Sequence, residues 1–463
     1  MTAQAVTPAM SRDERIAQGK AARARVPRSA HAGFVREEGS PAPLELLARQ
    51  DEVRVPELVP IRYKRMAESP FAYYRGAALP MAHDLAPTPR TGFTAQACGD
   101  AHLANFGLFA SPERRLVFDI NDFDETLPGP WEWDVKRLAA SLEVAARDNG
   151  FSARDRDRIV LEGVGGYRNA MREFAGRTAL DVWYAHADVG SVRSLAAPIL
   201  DSAGRKQFDR TVAKAKSRDN AASLVRFTAT EDGTPRITSD PPRVVRVEDL
   251  AVEGFDPETL YGQLNEVLRA YRRTLEPERR ALLDRYTLTD IARMIVGVGS
   301  VGTRCWMLML LGGFEKDALF LQAKEASRSV LEEFAGKSEY ANHGQRVIVG
   351  QRLMQTVSDI FLGWVRVPGI DGAERDFYVR QLRDGKGSVA IESLRPTAMA
   401  TYGRLCGWTL ARAHARSGDG VAIAAYLGSG PVFDHAVREF AVAYADQNEL
   451  DHSALRAFIT RKT

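Results

Sequence analysis

Near residue 290 the texture of the chain changes, and that change limits the folds open to it. Residues 291–296 read Ile-Ala-Arg-Met-Ile-Val and residues 297–302 read Gly-Val-Gly-Ser-Val-Gly. Residues 303–311 are then dominated by β-branched, aromatic and aliphatic side chains. This order predicts a strand, a Gly-rich turn and a return strand. Further strands are expected over 318–323, 361–367 and 377–382, with a helix over 344–357. Elsewhere apolar positions recur at helical spacing, as at Val135, Leu138, Ala139, Leu142 and Ala146 within 133–147. Residues 153–175, 257–285 and 398–461 also read as helical, and 41–92 as short helices interrupted by prolines. Short strands at 93–98 and 115–120, and a hairpin around Asp232-Gly233 within 223–247, complete the reading. A β-rich unit over 286–385 thus sits inside a mainly helical chain, an α+β arrangement.

Composition sets the outer bounds. The 463 residues are 45% hydrophobic and 27% charged, enough apolar material for a large core and too much for disorder. At roughly 100–200 residues per domain this length suggests two to four domains or lobes. Lys and Arg total 63 against 60 for Asp and Glu, a formal charge of +3 that is not a nucleic-acid footprint. Cys98, Cys305 and Cys406 are far apart and form neither a disulfide framework nor paired zinc knuckles, so a cytoplasmic home is expected. Residues 1–40 are basic and carry no apolar signal core, which predicts a solvated helix or frayed arm. The longest apolar run, 305–311, falls far short of the roughly 20 residues that span a bilayer, so no membrane partner is expected.

The residues that carry chemistry come in two sets. The first is Gly99-Asp100-Ala101-His102-Leu103-Ala104-Asn105, followed by Asp119, Asp122, Asp124 and Glu125. Four acids within seven residues repel one another unless a cation is near, and Asp and Asn oxygens suit a hard ion such as Mg²⁺. Phosphoryl transfer needs a carboxylate beside the acceptor hydroxyl and oxygen ligands for the metal. Protein kinases supply both from one Asp-x-x-x-x-Asn loop plus a later Asp, and Asp100, Asn105 and Asp122 have that pattern. The second set is the turn at Gly297, Gly299, Ser300 and Gly302, followed 22 residues later by Lys324 at the end of its strand. A Gly-rich hairpin lets backbone N–H groups approach phosphates, and a Lys on the next strand can reach them. Glu332 and Glu333 lie close by as acids that could pair with that Lys, whereas the helix 344–357 carries Gln345, Gln351 and Gln355 and no Glu.

Most of the length resembles the bacterial family catalogued as domain of unknown function 2252. The similar segments are 65–71, 99–107, 119–125, 131–141, 297–302, 321–326, 350–355 and 378–388. The family name supplies no reaction. A more distant resemblance does: residues 99–105 look like the His-Gly-Asp-x-His-x-x-Asn loop of aminoglycoside and choline phosphotransferases, with Cys98 in place of the leading His. Residues 122–134 look like their metal-binding Asp and the segment that ends in a structural Asp before a helix. Residues 410–414 resemble the helix that normally precedes the catalytic loop.

The resemblance implies an ATP- and Mg²⁺-dependent phosphotransferase, circularly permuted, because the loop precedes the Gly-rich hairpin. The expected fold is α+β, a protein-kinase-like two-lobed unit with its helical large lobe first and its antiparallel small lobe late. The expected parts are an arm at 1–40, a large lobe at 41–285, a small nucleotide-binding lobe at 286–385, and returning helices at 386–463. Asp100, with His102, would serve the acceptor hydroxyl. Asn105 and Asp122 would hold Mg²⁺, with Asp119 a competing ligand and Asp124 a helper for a second ion. Asp134 would be the structural acid. Gly297, Gly299, Ser300, Gly302 and Lys324 would hold phosphates, and the hinge backbone at Gln381 and Leu382 would face adenine. Arg380, Arg383 and Lys386 are expected near the cleft mouth, and Arg62, Arg65 and Arg75 are candidates for an acidic group or for packing. The partners are then a nucleotide and an unidentified hydroxyl acceptor, a small molecule or a protein. Nucleotidyl transfer from the same site and a regulatory nucleotide-binding pseudokinase are the alternatives.

Overall fold

The computed structural model describes residues 10–462 except 198, 251–256, 315–316, 369–371 and 383, and only the backbone of 195, 196, 257–264 and 462. Arg383 and residues 1–9 of the expected arm lie outside the described residues.

The β-rich unit is a six-stranded antiparallel sheet. Its order is Gly363–Pro368, Glu374–Gln381, Ala318–Ala326, Cys305–Leu311, Thr287–Met294 and Val244–Arg246. The near-continuous apolar run in Cys305–Leu311 has a physical cause: both faces of the sheet are covered. Leu308, Leu310, Leu319 and Leu321 pack with Tyr271, Leu275 and Leu283 on one side. Met307, Met309 and Phe320 pack with Ile237 and Val244 on the other. The sheet takes its edge strand from 244–246, ahead of the expected start at 286.

The expected hairpin is present, with Thr228–Glu231 pairing Thr234–Ile237. Asp232 and Gly233 have φ of 49° and 76°, the left-handed pair that a tight hairpin turn requires. Residues 223–227, the start of the stretch expected to hold that hairpin, belong instead to the helix Asn220–Phe227. The expected helix over 257–285 breaks into Pro257–Arg272 and Pro277–Leu283.

The helical mass packs around Trp131–Asp148, Ala153–Phe174, Pro396–Ser417 and Val432–Lys462. Ala153–Phe174 and Pro396–Ser417 approach very closely: a Cβ on Gly407 would lie 2.2 Å from the Gly163 carbonyl oxygen. Glycine is required there for space. Of the solvated helix or frayed arm expected for the basic N-terminal segment, the described part is a helix, and one of its faces is docked. Arg12–Arg25 packs on Gly420–Leu427, with Gly19 and Ala22 buried. Arg23 donates to the Tyr426 carbonyl (3.0 Å) and Arg28 to that of Leu427 (2.6 Å). Cations thus satisfy the last carbonyls of a helix, where its dipole is negative.

Two small antiparallel pairings place the chemistry. Phe106–Ala110 pairs Leu116–Ile120, and Thr94–Ala97 pairs Leu127–Pro130. Ala97 faces Leu127 and Phe106 faces Ile120, so the loops 98–105 and 121–126 emerge side by side from one framework.

Candidate functional site

The loop 98–105 is tied down from its own backbone. Asp134, in the first turn of Trp131–Asp148, accepts the N–H of Cys98 (2.6 Å) and of Gly99 (2.9 Å). His414 Nε2 stands 3.2 Å from the same carboxylate. Gly99 has φ +80°, and a Cβ there would meet the Glu125 carbonyl at 2.4 Å, so no other residue fits. Cys98 is buried and its Sγ donates to the Asp122 carbonyl (3.4 Å). An imidazole still reaches Asp134, delivered by Pro396–Ser417 from the far end of the chain.

Asp100 enters a cleft of about 320 Å³. Arg137, one turn after Asp134 on the same helix face, donates from Nε to Asp100 Oδ1 (2.6 Å). Sequence reading missed Arg137, although its three-residue spacing from Asp134 was a usable signal. Burial pushes the Asp100 carboxyl up to about 6, against the pull of Arg137. Asn105 donates to the Asp100 carbonyl (2.7 Å) and closes the loop. His102 Nε2 lies 3.6 Å from Asp100 Oδ2, too far for a hydrogen bond. Burial, with Arg75 and Arg137 beside it, pushes the His102 imidazole far down and keeps it neutral.

Lys324 faces these loops from the sheet. The strand does not stop at 323 as expected: Lys324 pairs with Tyr378, and pairing runs on to Ala326 and Asp376. Its ammonium contacts the Asp124 carboxylate and lies 3.8 Å from Asp122. Burial works against its charge, but Asp122 and Asp124 outweigh burial and raise its pKa. Asp124 also accepts the Tyr378 hydroxyl (2.8 Å) and the Ser300 hydroxyl (3.4 Å). Burial would raise the Asp122 carboxyl, yet Lys324, Arg380 and Lys386 hold it below the usual range. Neither Glu332 nor Glu333 meets Lys324; they pair with Arg328 and Arg49.

The Gly-rich turn closes the cleft from above. Gly297, Gly299 and Ser300 line it. Arg65 donates to the Gly297 carbonyl (2.6 Å), and a Cβ on Gly299 would sit 2.9 Å from the Arg75 carbonyl. Gly302 does not line the cleft; its carbonyl accepts the Val55 N–H (2.8 Å).

Three expected placements need correction. Asp119 is 2% exposed and bound to Arg412 (2.6 Å) behind the acidic turn, so it has no path to a cleft metal. The N–H of Gln381 is taken by Asp359 and that of Leu382 by the Phe320 carbonyl, so neither donor is free for a base. Neither residue lines the cleft. Among the described residues no group of three or more His, Cys, Asp and Glu is placed to hold a metal.

The residues present still suit one kind of ion. Asp122 and Asp124 are 32% and 27% exposed toward the cleft, and Asn105 lines it too. Two carboxylates and an amide oxygen are hard donors, and Mg²⁺ takes its remaining ligands from water and substrate phosphate. The larger cavity, about 1170 Å³, lies elsewhere among Leu161, Phe208, Tyr402 and Trp408, and none of these acids lines it. No helix among the described residues is long and apolar enough to cross a membrane.

The profile of one family, described as "Uncharacterized protein conserved in bacteria (DUF2252)", matches residues 54–458. No curated protein and no solved structure matches the chain.

Proposed function

Because the chain belongs to this bacterial family, whose description names no reaction, we propose its function from the cleft: an ATP- and Mg²⁺-dependent phosphotransferase of kinase-like, circularly permuted architecture. One observation carries the reading. Residues from 100–105, 122–125 and 297–303, far apart in sequence, line one cleft, and the ammonium of Lys324, just behind that lining, meets Asp124 and Asp122.

The roles follow from position. Arg137 occupies Asp100 Oδ1, which leaves Oδ2 toward the cleft to accept the proton of an acceptor hydroxyl. That hydroxyl oxygen bonds the γ-phosphorus as the bond to the bridging oxygen of ADP breaks. Lys324 exchanges Asp124 for phosphate oxygens, and the backbone of the Gly-rich turn covers them. Held by Asp122, Asp124 and Asn105, Mg²⁺ supplies neutralisation of phosphate charge. The second reading, a nucleotide-binding regulatory module, draws on the absence among described residues of a helix carboxylate on Lys324.

Mg-ATP should raise the melting temperature, and Lys324→Ala should remove that rise. No rise in the parent protein overturns both readings. Transfer of label from the γ-position of ATP supports the phosphotransferase, and label from the α-position indicates nucleotidyl transfer. Binding without transfer to a broad acceptor panel leaves the regulatory reading.

A further inference from the structure

The three arginines on Val59–Met66 and Pro70–Gly76 that sequence could not separate have different fates. Arg62 is fully buried and donates to Asp51 (2.7 Å), Gln50 (3.0 Å) and the Gly76 carbonyl (3.1 Å). Arg65 holds the Gly-rich turn. Arg75 makes no hydrogen bond or ion pair with any described residue, although its Nε is shut off from solvent and it lines the cleft. Arg75 is half-buried, and a guanidinium that lines a cleft with no protein partner is free to take an anion or water there.

The surroundings sharpen the point. The charges that act most on Arg75 are those of Asp100, Glu392 and Glu68, none within ion-pair distance. Asp100 is already claimed by Arg137, and His102 carries no charge. Arg54, which also lines this wall, shares Asp51 with Arg62 at 3.5 Å against 2.7 Å. Among Arg54, Arg62, Arg75 and Asp51 there are three cations to one carboxylate, a local excess of positive charge. Around Asp122 and Asp124 the excess has the other sign, two carboxylates on the one Lys324 ammonium, so that part of the site favours a cation over an anion.

We propose that Arg75 receives an anionic group, a carboxylate or a phosphate ester, carried by the acceptor, and so places the acceptor hydroxyl beside Asp100. This rests on the phosphotransferase reading and narrows its substrate class to acidic acceptors. The planar fork of Arg75 suits a two-oxygen anion. The nucleotide is assigned to Lys324 and Ser300, which both meet Asp124, whereas the charge that acts most on Arg75 is that of Asp100. The same chemistry could come from the γ-phosphate of the nucleotide, and the experiment separates the two sources.

Inorganic phosphate is the probe, titrated by calorimetry against the parent, Arg75→Gln, Arg75→Lys and Lys324→Ala. Phosphate should bind the parent and Lys324→Ala alike. Arg75→Gln should weaken it by roughly tenfold or more, the scale of a lost charge-assisted contact, and Arg75→Lys should recover part. Mg-ATP should bind Arg75→Gln as it binds the parent. Unchanged phosphate affinity in Arg75→Gln, or none in the parent, overturns the proposal. Weakened Mg-ATP with unchanged Mg-ADP in Arg75→Gln also overturns it, because Arg75 then reads the γ-phosphate. Phosphate binding that depends on Arg75, with no Mg-ATP binding in the parent, sinks the phosphotransferase reading and leaves the anion site standing. Arg75→Gln should melt no lower than the parent, since it removes an unpartnered cation, which separates lost binding from lost folding.

Discussion

Asp119 and the pair Asp122 and Asp124 lie within six residues of one another and meet opposite ends. Asp119 and Arg412 have side chains 2% and 1% exposed, with two backbone N–H groups, from Ile120 and Thr356, completing the carboxylate. Lys324, at 2%, is nearly as dry as Arg412, but its partners Asp122 and Asp124 keep about a third and a quarter of their surface open. The first pair is closed on all sides and can only hold β-strand to helix. The second is closed from the sheet and open to the cleft, so another anion or cation can enter. The difference comes from direction. Asp119 is inside Leu116–Ile120 and projects toward Pro396–Ser417, whereas Asp122 and Asp124 follow the end of that strand.

Arg412→Ala should give the largest effect. It leaves Asp119 buried and uncompensated, which costs about 3–5 kcal/mol in denaturant unfolding. Arg412→Met combined with Asp119→Leu should recover most of this, because a dry pair can be replaced by apolar volume. If the single change costs no more than Lys324→Ala, the contrast between closed and open pairs is broken.

Asp134→Asn comes next. It keeps one acceptor for the N–H groups of Cys98 and Gly99 and loses the charge, which should cost about 1–3 kcal/mol. Hydrogen exchange at 98–105 should rise with it. His414→Ala should produce a milder form of the same loosening through the same carboxylate.

How much of this was legible in the sequence depends on the kind of contact. The return strand at 305–311 was readable because a strand buried on both faces must be continuously apolar. The turn at Asp232-Gly233 was readable because its backbone demands those residues. Asp100, Asn105, Asp122 and Lys324 were singled out from spacing; the structure brings the first three to one cleft and the Lys324 ammonium to Asp122 and Asp124, with a strand register that spacing did not give. Strand pairing set that register, since Lys324 stays in the ladder beside Tyr378. The fate of Asp119 was not legible, because the side chain that meets it comes from Arg412, far along the chain. The docking of the N-terminal segment was hidden for a related reason. Its arginines read as solvated charge until the carbonyls of Tyr426 and Leu427 appear beside them.

Asp100 with Arg137 stands between the two extremes, with side chains 21% and 3% exposed. Its carboxyl is pushed up to about 6 by burial, above its value in the unfolded chain. Between about pH 4 and 6 the folded state therefore holds a proton that the unfolded chain releases. Stability should fall as pH rises through that window, by at most about 1.4 kcal/mol per pH unit. Asp100→Asn should flatten the slope. In the proposed reaction the parent's rate should fall as pH drops through about 6, where Asp100 gains a proton and can no longer accept one. A slope that survives Asp100→Asn would assign the proton to another group.

Lys324→Ala should have the smallest effect on folding, about 1 kcal/mol or less. Removing the ammonium leaves two carboxylates, but both face the cleft and water can solvate them. Tyr378 and Ser300 still donate to Asp124, and Arg380 and Lys386 still act on Asp122. Burying the Lys324 ammonium also carries a desolvation cost that the substitution relieves. A small loss of stability together with complete loss of the Mg-ATP shift is the signature of a pair retained for a ligand. A loss as large as that of Arg412→Ala would place Lys324 with the closed pairs, as a strut between sheet and loop.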